Sequence, residues 1–356
     1  MLPMHTAPRL RMSALVLAWL LTACSQEPPT AESSLEAARG ASRGIVAVEV
    51  PMLPGDDDAY ANDVNSDGIV VGQSAASTDQ WMKAYVVTAS GPTLLSTPGL
   101  EGAAYGISEG PTPYVVGFDG GPTGVGVRWR LTNPISREEL DGRPNDVNSS
   151  GTATGSHGGN VALWSANGTV TLVASPAPDN VDGTGVGINE AGHVVANYWR
   201  DGAVGDVWDT WVRAPDGRMV MLPPAQGDVS TYGSAISEVV GGTFYVSGST
   251  YAASGTTRSA RWAIDATSLA VDAPLVVTTG SAGGVNRAGA VAGTQASRRT
   301  GTPYYWSNGA LQQLKLPRGG SDGFVSALSD GAGSAIIAAG TMKISNRFRA
   351  ILWRIQ

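Results

Sequence analysis

Apolar and polar positions follow one order that recurs seven times between residues 44 and 356. Each unit opens with a short apolar stretch and an Asn or Ser, soon followed by Gly, and continues with an apolar run that ends in Gly-Ser or Gly-Thr. A loop, an apolar stretch that ends in Trp, a Gly turn and Leu-x-x-Pro complete the unit. The Asn or Ser positions, 40 to 49 residues apart, are Asn65, Ser108, Asn148, Asn189, Ser237, Asn286 and Ser329. A period of this length indicates a repeat architecture.

Each unit contains four strand-sized pieces, which is the content of one propeller blade. We name them strand A, around the Asn or Ser; strand B, ending in Gly-Ser or Gly-Thr; strand C, ending in Trp; and strand D, the Leu-x-x-Pro stretch. The Asn-x-x-Gly sequence between strands A and B is typical of a hairpin turn, since Asn and Gly tolerate positive φ. Six units carry the Trp and unit one has Tyr85 near that place, so we expect this position to lie between neighbouring blades.

The two ends of the repeat region complement each other. Unit seven stops at Gln356, after its strand C, and therefore lacks strand D. The stretch Val46–Gly55 resembles the strand D sequence Leu314–Gly319 of unit six. Closing the ring with this N-terminal strand would remove exposed sheet edges. The sequence thus predicts an all-β fold for residues 44–356, a seven-bladed β-propeller whose last blade is completed by the N-terminal strand.

The repeat resembles that of the bacterial extracellular HAF repeat proteins. Their motif is roughly Ala-x-x-Ile-Asn-x-x-Gly-x-Val-Val-Gly-x-Ser, followed by His-Ala-Phe-x-Trp. Residues 65–74 match the first half closely, and residues 83–85 and 349–353 match the second half loosely, with Lys or Arg in place of His. The resemblance implies an exported β-repeat protein and supplies no catalytic residues.

The first 43 residues have the character of an export signal and a tether. Arg9 and Arg11 precede an apolar run from Met12 to Ala23, which is too short to span a membrane but suits a signal peptide. Leu-Thr-Ala-Cys at residues 21–24 resembles a bacterial lipobox; an ordinary signal peptide with an incidental Cys is the alternative. We therefore predict a lipoprotein signal peptide at residues 1–23, lipidation of Cys24 and a flexible tether at residues 24–43. Ser25 favours the outer membrane of the cell envelope.

Composition narrows the class of partner. Gly makes up about 13% of the chain, with 47 residues of 356, and only 15% of residues are charged. Without residues 1–23 the chain carries 21 basic and 30 acidic side chains, a net charge of −9. This acidity argues against nucleic acid as a partner. Cys24 is the only Cys, so no disulfide is expected.

Four motifs that could carry chemistry have simpler interpretations. Residues 63–68 have the D-x-N-x-D-G spacing of a calcium loop, but Ser74 stands where a bidentate acid is needed, so we favour a hairpin turn. Ser321 lies in a G-x-S-x-G sequence that no helical segment follows. His157 and His193 belong to loops on opposite faces, which disfavours a shared zinc site, and each is expected to be a solvated surface side chain. We predict no cofactor and no metal. The Ser136–Glu139 sequence resembles a capping box and predicts one turn of helix.

Loop topology places a site on one face of the disc. The D–A and B–C loops emerge together on what we call the top face, and the A–B and C–D turns emerge on the opposite face, the A–B face. Long loops on a rigid scaffold commonly carry function. Five residues of these top-face loops are our candidate ligand-binding residues: Asp57, Trp81, Trp199, Asp201 and Trp208. Aromatic side chains beside carboxylates suit glycans, peptides or cationic groups. The alternative is that each Trp only covers its own blade.

These observations favour a membrane-anchored exported lipoprotein whose propeller is a non-enzymatic binding or scaffold module. The expected partner is an envelope protein or glycan, with the membrane reached through the lipid anchor. The alternative is a hydrolase or lyase that acts on a polysaccharide with top-face carboxylates such as Asp57 and Asp201, since glycoside hydrolysis needs two carboxylates at a defined separation. A buried carboxylate pair in a central funnel would favour the enzyme, and an exposed aromatic patch would favour the binding module.

Overall fold

The computed structural model describes residues 44–120, 124–177, 179–200, 207–296, 301–331 and 335–356. The predicted signal peptide at residues 1–23, the tether at residues 24–43, Cys24 and Asp201 lie outside the described residues. Regular structure within these ranges consists of strands, as the four strand-sized pieces of each repeat predict.

The strands form seven four-stranded antiparallel blades across the described ranges. Their bounds, blade by blade, are: blade one, β2 (Asp58–Val64), β3 (Val70–Ala75), β4 (Lys83–Thr88), β5 (Gly91–Leu94); blade two, β6 (Gly102–Ile107), β7 (Tyr114–Asp119), β8 (Val125–Arg130), β9 (Ser136–Leu140); blade three, β10 (Arg143–Val147), β11 (Ala153–His157), β12 (Asn160–Trp164), β13 (Val170–Val173); blade four, β14 (Asn180–Ile188), β15 (Val194–Arg200), β16 (Val207–Arg213), β17 (Met219–Met221); blades five and six, β18 (Asp228–Ile236), β19 (Thr243–Ala252), β20 (Thr257–Asp265), β21 (Leu275–Val285), β22 (Val291–Ala296), β23 (Gly301–Ser307), β24 (Ala310–Gln313); blade seven, β25 (Gly320–Leu328), β26 (Ile336–Ile344), β27 (Arg347–Ile355) and β1 (Val46–Glu49).

Blades five and six share one long strand. The first part of β21, Leu275 to Thr279, pairs with β20 as strand D of blade five. The second part, Gly280 to Val285, pairs with β22 as strand A of blade six. Six hydrogen-bonded sheets therefore contain seven blades in the part of the chain that the structure describes.

The N-terminal strand closes the ring. Strand β1 pairs antiparallel with β27, with Val46 opposite Arg354 and Glu49 opposite Ile351. Just beyond the strand, the backbone N–H of Val50 donates to the carbonyl oxygen of Ala350 at 2.8 Å. The predicted closure of the last blade is confirmed. Because β1 is a strand D, it runs from the A–B face towards the top face.

The Asn or Ser of each unit closes the A–B turn of its own blade. The Asn65 Oδ1 accepts the backbone N–H of Ile69 at 3.0 Å, which closes the A–B turn, and its Nδ2 donates to the carbonyl oxygen of Ser108 in blade two at 3.3 Å. A Ser at this position closes its own hairpin, as Ser237 Oγ does by accepting the N–H of Tyr245 at 2.9 Å. The hairpin turn predicted at residues 63–68 is confirmed, with Gly68 at a φ of 78°.

The Trp of strand C packs between blades, as predicted. Four of these Trp side chains are almost completely buried, and three donate their indole N–H to the D–A connection of the preceding blade. Those bonds join Trp164 to Asp141 O (3.0 Å), Trp262 to Pro223 O (2.8 Å) and Trp353 to Lys315 O (2.8 Å). In blades one and four the strand register puts Val87 and Arg213 at this position, and the aromatic residue, Tyr85 or Trp211, stands two residues earlier.

One element differs from its prediction. The Ser136–Glu139 sequence, expected to begin a helical turn, belongs to strand β9 and pairs with β8 from Ser136 opposite Arg130 to Leu140 opposite Gly126. Strand pairing, the burial of Leu140 and an Arg128–Glu138 ion pair at 2.5 Å outweigh a four-residue capping signal. Within the described part of the chain, no helix is long and apolar enough to cross a membrane.

Candidate functional site

Strand A of every blade lines a central channel. A cavity of about 170 Å³ lies at its A–B end, enclosed by residues of all seven strands A. Its wall combines aliphatic side chains such as Ile107 and Ile188 with carboxylates. The A–B end of the channel is acidic.

Carboxylates ring the A–B mouth. They occupy the position directly after the repeated Asn or Ser, which holds Glu109, Glu190, Glu238 and Asp330 in blades two, four, five and seven, and Arg287 in blade six. These acids accept backbone amides from the preceding blade: Glu109 from Ser66 at 3.0 Å, Glu238 from Glu190 at 3.1 Å and Asp330 from Arg287 at 2.8 Å. The acidic ring therefore also stitches neighbouring blades together.

Burial raises the pKa values of three of these acids. The pKa of Glu238 reaches about 7, chiefly through burial, with the charges of Asp330 and Glu190 adding to the rise. The pKa values of Glu109 and Asp330 are raised for the same first reason, and nearby acids contribute. The mouth therefore holds one carboxyl group, that of Glu238, which exchanges its proton near neutral pH.

A pair of aspartates lies deeper in the channel wall. The sequence Asn-Asp-Val-Asn-Ser occurs twice, at residues 62–66 and 145–149. Asp63 accepts the N–H groups of Val64 and Ile107, both at 2.8 Å, and thereby joins blades one and two. Asp146 joins blades three and four in the same way, through Val147 and Ile188, both at 2.8 Å.

Burial raises the pKa values of both aspartates. Burial raises the pKa of Asp146 to about 6, and burial together with the charge of Asp146 raises the pKa of Asp63 well above its usual value. The side chains of the possible calcium loop are thus engaged elsewhere: Asp63 binds backbone amides of two blades, and Asn65 closes its own turn. Within the described ranges, no group of three or more His, Cys, Asp and Glu side chains is arranged to hold a metal ion.

The acidic run of the first D–A connection is engaged in contacts within the protein. Asp56, almost completely buried, binds Lys83 Nζ at 2.5 Å. Asp58 accepts the backbone N–H of Phe348 at 2.7 Å. Asp57, the predicted ligand-binding member, is partly exposed and accepts the N–H of Ser77 at 2.8 Å; hydrogen bonds from Ser77 lower its pKa.

Two of the three predicted Trp residues lie side by side. Trp199 and Trp208 are opposite each other in strands β15 and β16, which places their side chains on the same face of blade four. Trp208 also meets Tyr232 of blade five edge to face, with ring centroids 5.5 Å apart. Trp81 is partly exposed in the B–C loop of blade one and belongs to a separate part of the top face. We call Trp199, Trp208 and Tyr232 the aromatic platform.

The Trp208–Tyr232 contact is a repeated feature. Tyr60 of blade one and Phe348 of blade seven stand at the equivalent strand positions, and their rings stack with centroids 5.0 Å apart. In both cases a Tyr of strand A packs against an aromatic residue five positions before the Trp position of the preceding blade. An aromatic pair therefore fills the upper part of the junctions between blades seven and one and between blades four and five.

The structure places the two His residues and Ser321 in different surroundings. His193 is buried rather than solvated: its ring lies 4.5 Å from that of Phe244, and burial lowers its pKa. The prediction for this residue was wrong because the A–B turn of blade four packs against blade five. His157 is partly exposed at the top face, where its Nδ1 lies 3.5 Å from Asp141 Oδ1. Ser321 lies within strand β25, and the next element in the described residues is strand β26, which does not fit the strand–helix setting of a nucleophile elbow.

The acids of the channel were missed at the sequence level, although a signal existed. The sequence predicted a site in the long loops of the top face and none at the A–B turns. The repeated Asn-Asp-Val-Asn-Ser sequence and the acids directly after the Asn or Ser position mark the channel residues, once strand A is known to be the innermost strand.

Neither a protein-family model nor a curated protein matches the sequence. Among solved structures, the chain is similar to Trypanosoma rangeli sialidase in complex with sialic acid (10% identity, TM-score 0.43, 88% of this chain and 59% of the sialidase). It is also similar to a Xanthomonas campestris gluconolactonase (10%, TM-score 0.44, 89% and 99%) and to a prolyl endopeptidase (11%, TM-score 0.44, 84% and 47%). The chain thus spans less than two thirds of the sialidase. These likenesses concern the β-propeller fold alone.

Proposed function

We propose that this protein is an exported lipoprotein of the HAF repeat kind whose propeller binds an envelope glycan or protein without catalysing a reaction. The observation that carries the proposal is the aromatic platform. Two partly exposed Trp side chains are held by cross-strand pairing and by an edge-to-face contact with the next blade. Rigid, partly exposed aromatic rings supply contact area at a low entropic cost, which suits a binding surface.

The acids of the top face support binding more than catalysis. Asp56 is paired with Lys83, and hydrogen bonds from Ser77 lower the pKa of Asp57, which makes Asp57 a poor proton donor at neutral pH. Asp201 stays a candidate from the sequence. The carboxylates with raised pKa values lie instead at the channel and its A–B mouth.

A hydrolase or lyase is the second candidate, and the Asp63–Asp146 pair is the observation that favours it. Two neighbouring carboxyl groups with raised pKa values in one cavity are found at some acid–base sites. However, each aspartate already accepts two backbone amides that join blades, so both groups have a structural role that leaves little freedom for proton transfer to a ligand.

We also propose that Cys24 is lipidated and that the protein resides in the outer membrane. Since β1 enters from the A–B face, the tether of about twenty residues would reach the propeller there, leaving the top face pointing away from the membrane. The test is fractionation of cells that express the full chain or Cys24→Ala. We expect the first in the membrane fraction and the second in the soluble fraction; equal partition of both would refute the anchor.

Binding can be tested with the full chain and a Trp199→Ala/Trp208→Ala double variant, used to capture envelope glycans and proteins. Leu172→Ala, which removes an exposed apolar side chain from the outer strand of blade three, is the matched control. We expect a partner retained by the wild type and the control and lost by the double variant, with unchanged circular dichroism. Capture of the same partners by all three would rule out the platform, and a separate Trp81→Ala arm tests the contribution of blade one.

A further inference from the structure

The aromatic pair described above is missing at the junction between blades two and three. At the two positions that hold Phe348 and Tyr60, or Trp208 and Tyr232, this junction has Gly124 and Arg143. Gly124 has no side chain, and Arg143 turns its guanidinium over the ring of Phe118, 6.0 Å from the centroid. Among the described residues, no aromatic pair fills this space, which two rings fill elsewhere in the same fold.

A cavity of about 740 Å³ occupies this junction on the top face. Its size falls within the range of small-molecule binding pockets, roughly 300–1,000 Å³. Much of the wall is glycine backbone, and Gly142 cannot be replaced without collision, since a Cβ there would lie 2.7 Å from the carbonyl oxygen of Ser156 and 2.8 Å from the Trp164 ring. The backbone at Gly142 is thus tightly packed against blade three on one side of the cavity.

The lining offers hydrogen-bonding groups of both kinds around a small apolar surface. Glu139 and Asp141 present acceptors, Arg143 presents donors, and His157, beside Asp141 at 3.5 Å, can do either. Val125, 40% exposed, supplies an apolar side chain. An array of donors and acceptors around an apolar surface matches a ring that carries several hydroxyl groups and has C–H faces.

We propose that this open junction binds one sugar residue of a glycan, with the pyranose ring in the space that aromatic pairs fill between blades seven and one and between blades four and five. The proposal deepens the proposed function, on which it rests for the nature of the partner. It assigns the specificity pocket to blades two and three and leaves the aromatic platform of blades four and five as a separate contact.

The test uses a variant whose cavity is filled by the same aromatic pair that the fold contains between blades seven and one. The double variant Gly124→Phe/Arg143→Tyr recreates the Tyr60–Phe348 pair at the open junction. The matched control, Thr257→Phe/Ser281→Tyr, introduces the same pair at the same strand positions between blades five and six. The full chain in detergent is titrated with hexaoses of glucose, galactose and N-acetylglucosamine by calorimetry.

We expect at least one hexaose to bind the wild type and the control equally and to bind the filled variant at least about tenfold more weakly, which is about 1.4 kcal/mol. Equal binding to the filled variant overturns the proposal, and so does an absence of binding by all three sugar classes. If the filled variant fails to fold, His157→Ala and Arg143→Ala serve instead, with the same criterion. If Trp199→Ala/Trp208→Ala loses hexaose binding while the filled variant retains it, the proposed function stands and this pocket is refuted. If the filled variant loses hexaose binding while Trp199→Ala/Trp208→Ala retains it, the pocket stands and the aromatic platform is refuted as the binding surface.

Discussion

Asp63 and Asp146 occupy equivalent positions in blades one and three, with Gly106 of blade two between them. Asp63 accepts the N–H of Ile107, the residue next to Gly106, and a Cβ on Gly106 would lie 2.9 Å from Asp146 Oδ1. The carboxylates are close enough for the charge of Asp146 to raise the pKa of Asp63. Blade two thus presents backbone alone at this position, which makes room for two acids that tie four blades together.

The raised pKa values predict a protein that becomes more stable on mild acidification. A carboxyl group whose pKa is higher in the folded state than in the unfolded chain binds protons more tightly when folded, so the free energy of unfolding rises as pH falls. The pKa values of about 6 for Asp146 and about 7 for Glu238 together correspond to a gain of about 4 kcal/mol between pH 8 and pH 5. Solvent screening at the partly exposed Glu238 and the lowered pKa of His193 offset part of it, so we expect a net gain smaller than this. Urea denaturation across this range measures it.

The control for this pH effect is Asp146→Asn, which removes one charge from the pair and keeps the size of the side chain. We expect a shallower slope of stability against pH and a lower pKa for Asp63. A slope that is unchanged in Asp146→Asn, or a wild-type protein that loses stability between pH 8 and pH 5, would contradict the assignment.

The Lys83–Asp56 ion pair predicts a large effect from a single substitution. Asp56 is almost completely buried and its carboxylate binds Lys83 Nζ at 2.5 Å and Ser74 Oγ at 2.5 Å. Lys83→Met would leave a buried carboxylate without its cation, which costs about 3–5 kcal/mol. Arg218→Met is the matched control, because its pair with Asp216 is half exposed on both sides and contributes less than about 1 kcal/mol. Equal losses in the two variants, measured by urea denaturation, would show that burial does not govern these pairs.

The buried indole of Trp353 is expected to stabilise the junction between blades six and seven. It is completely buried in blade seven and donates its indole N–H to Lys315 O, which ties the last blade to the connection before it. Trp353→Phe keeps most of the apolar volume and loses the hydrogen bond, so we expect a loss of about 1–3 kcal/mol with the fold preserved. Trp306→Phe is the comparison, since Trp306 stands at the same position in blade six but is partly exposed. Thermal unfolding followed by circular dichroism would contradict this account if Trp306→Phe were the more damaging change.

The repeat made the fold predictable, because equivalent positions of the blades carry similar residue types and make similar contacts. The Asn or Ser that closes each A–B turn and the Trp between blades are both visible as periodic positions, and the missing strand D of blade seven pointed to β1. Short sequence motifs gave wrong predictions where hydrogen-bonded strand pairing determined the local structure. The capping-box pattern of Ser136–Glu139 gave way to strand β9, and the positions of Tyr85 and Trp211, two residues from the Trp position, became clear only from the strand register.

The candidate site was harder to predict, since spatial neighbours in a propeller are about forty residues apart in the chain. The pairing of Trp199 with Trp208 follows from the B–C hairpin and was accessible, but the contact of Trp208 with Tyr232 depends on how blades four and five approach each other. The open junction at Gly124 and Arg143 is visible only by comparison with equivalent positions in other blades. Asp201 lies outside the described residues, so its role as a ligand-binding residue stays a prediction.

Substitution of Asn189 should show how much each hydrogen bond of the repeated Asn contributes to the free energy of unfolding. It is buried, its Oδ1 accepts the N–H of His193 at 2.9 Å and its Nδ2 donates to Ser237 O at 3.1 Å in the next blade. Asn189→Ala removes both bonds and leaves two buried backbone groups without partners, which costs about 2–4 kcal/mol. Asn189→Ser is the informative comparison, because Ser at the equivalent positions of three other blades closes the hairpin through its Oγ. It should restore the turn and lose only the bond to Ser237, giving roughly half the loss in urea denaturation. If Ser and Ala variants were equally unstable, the hairpin contact would contribute nothing, and the bond between blades alone would account for the Asn in the repeat.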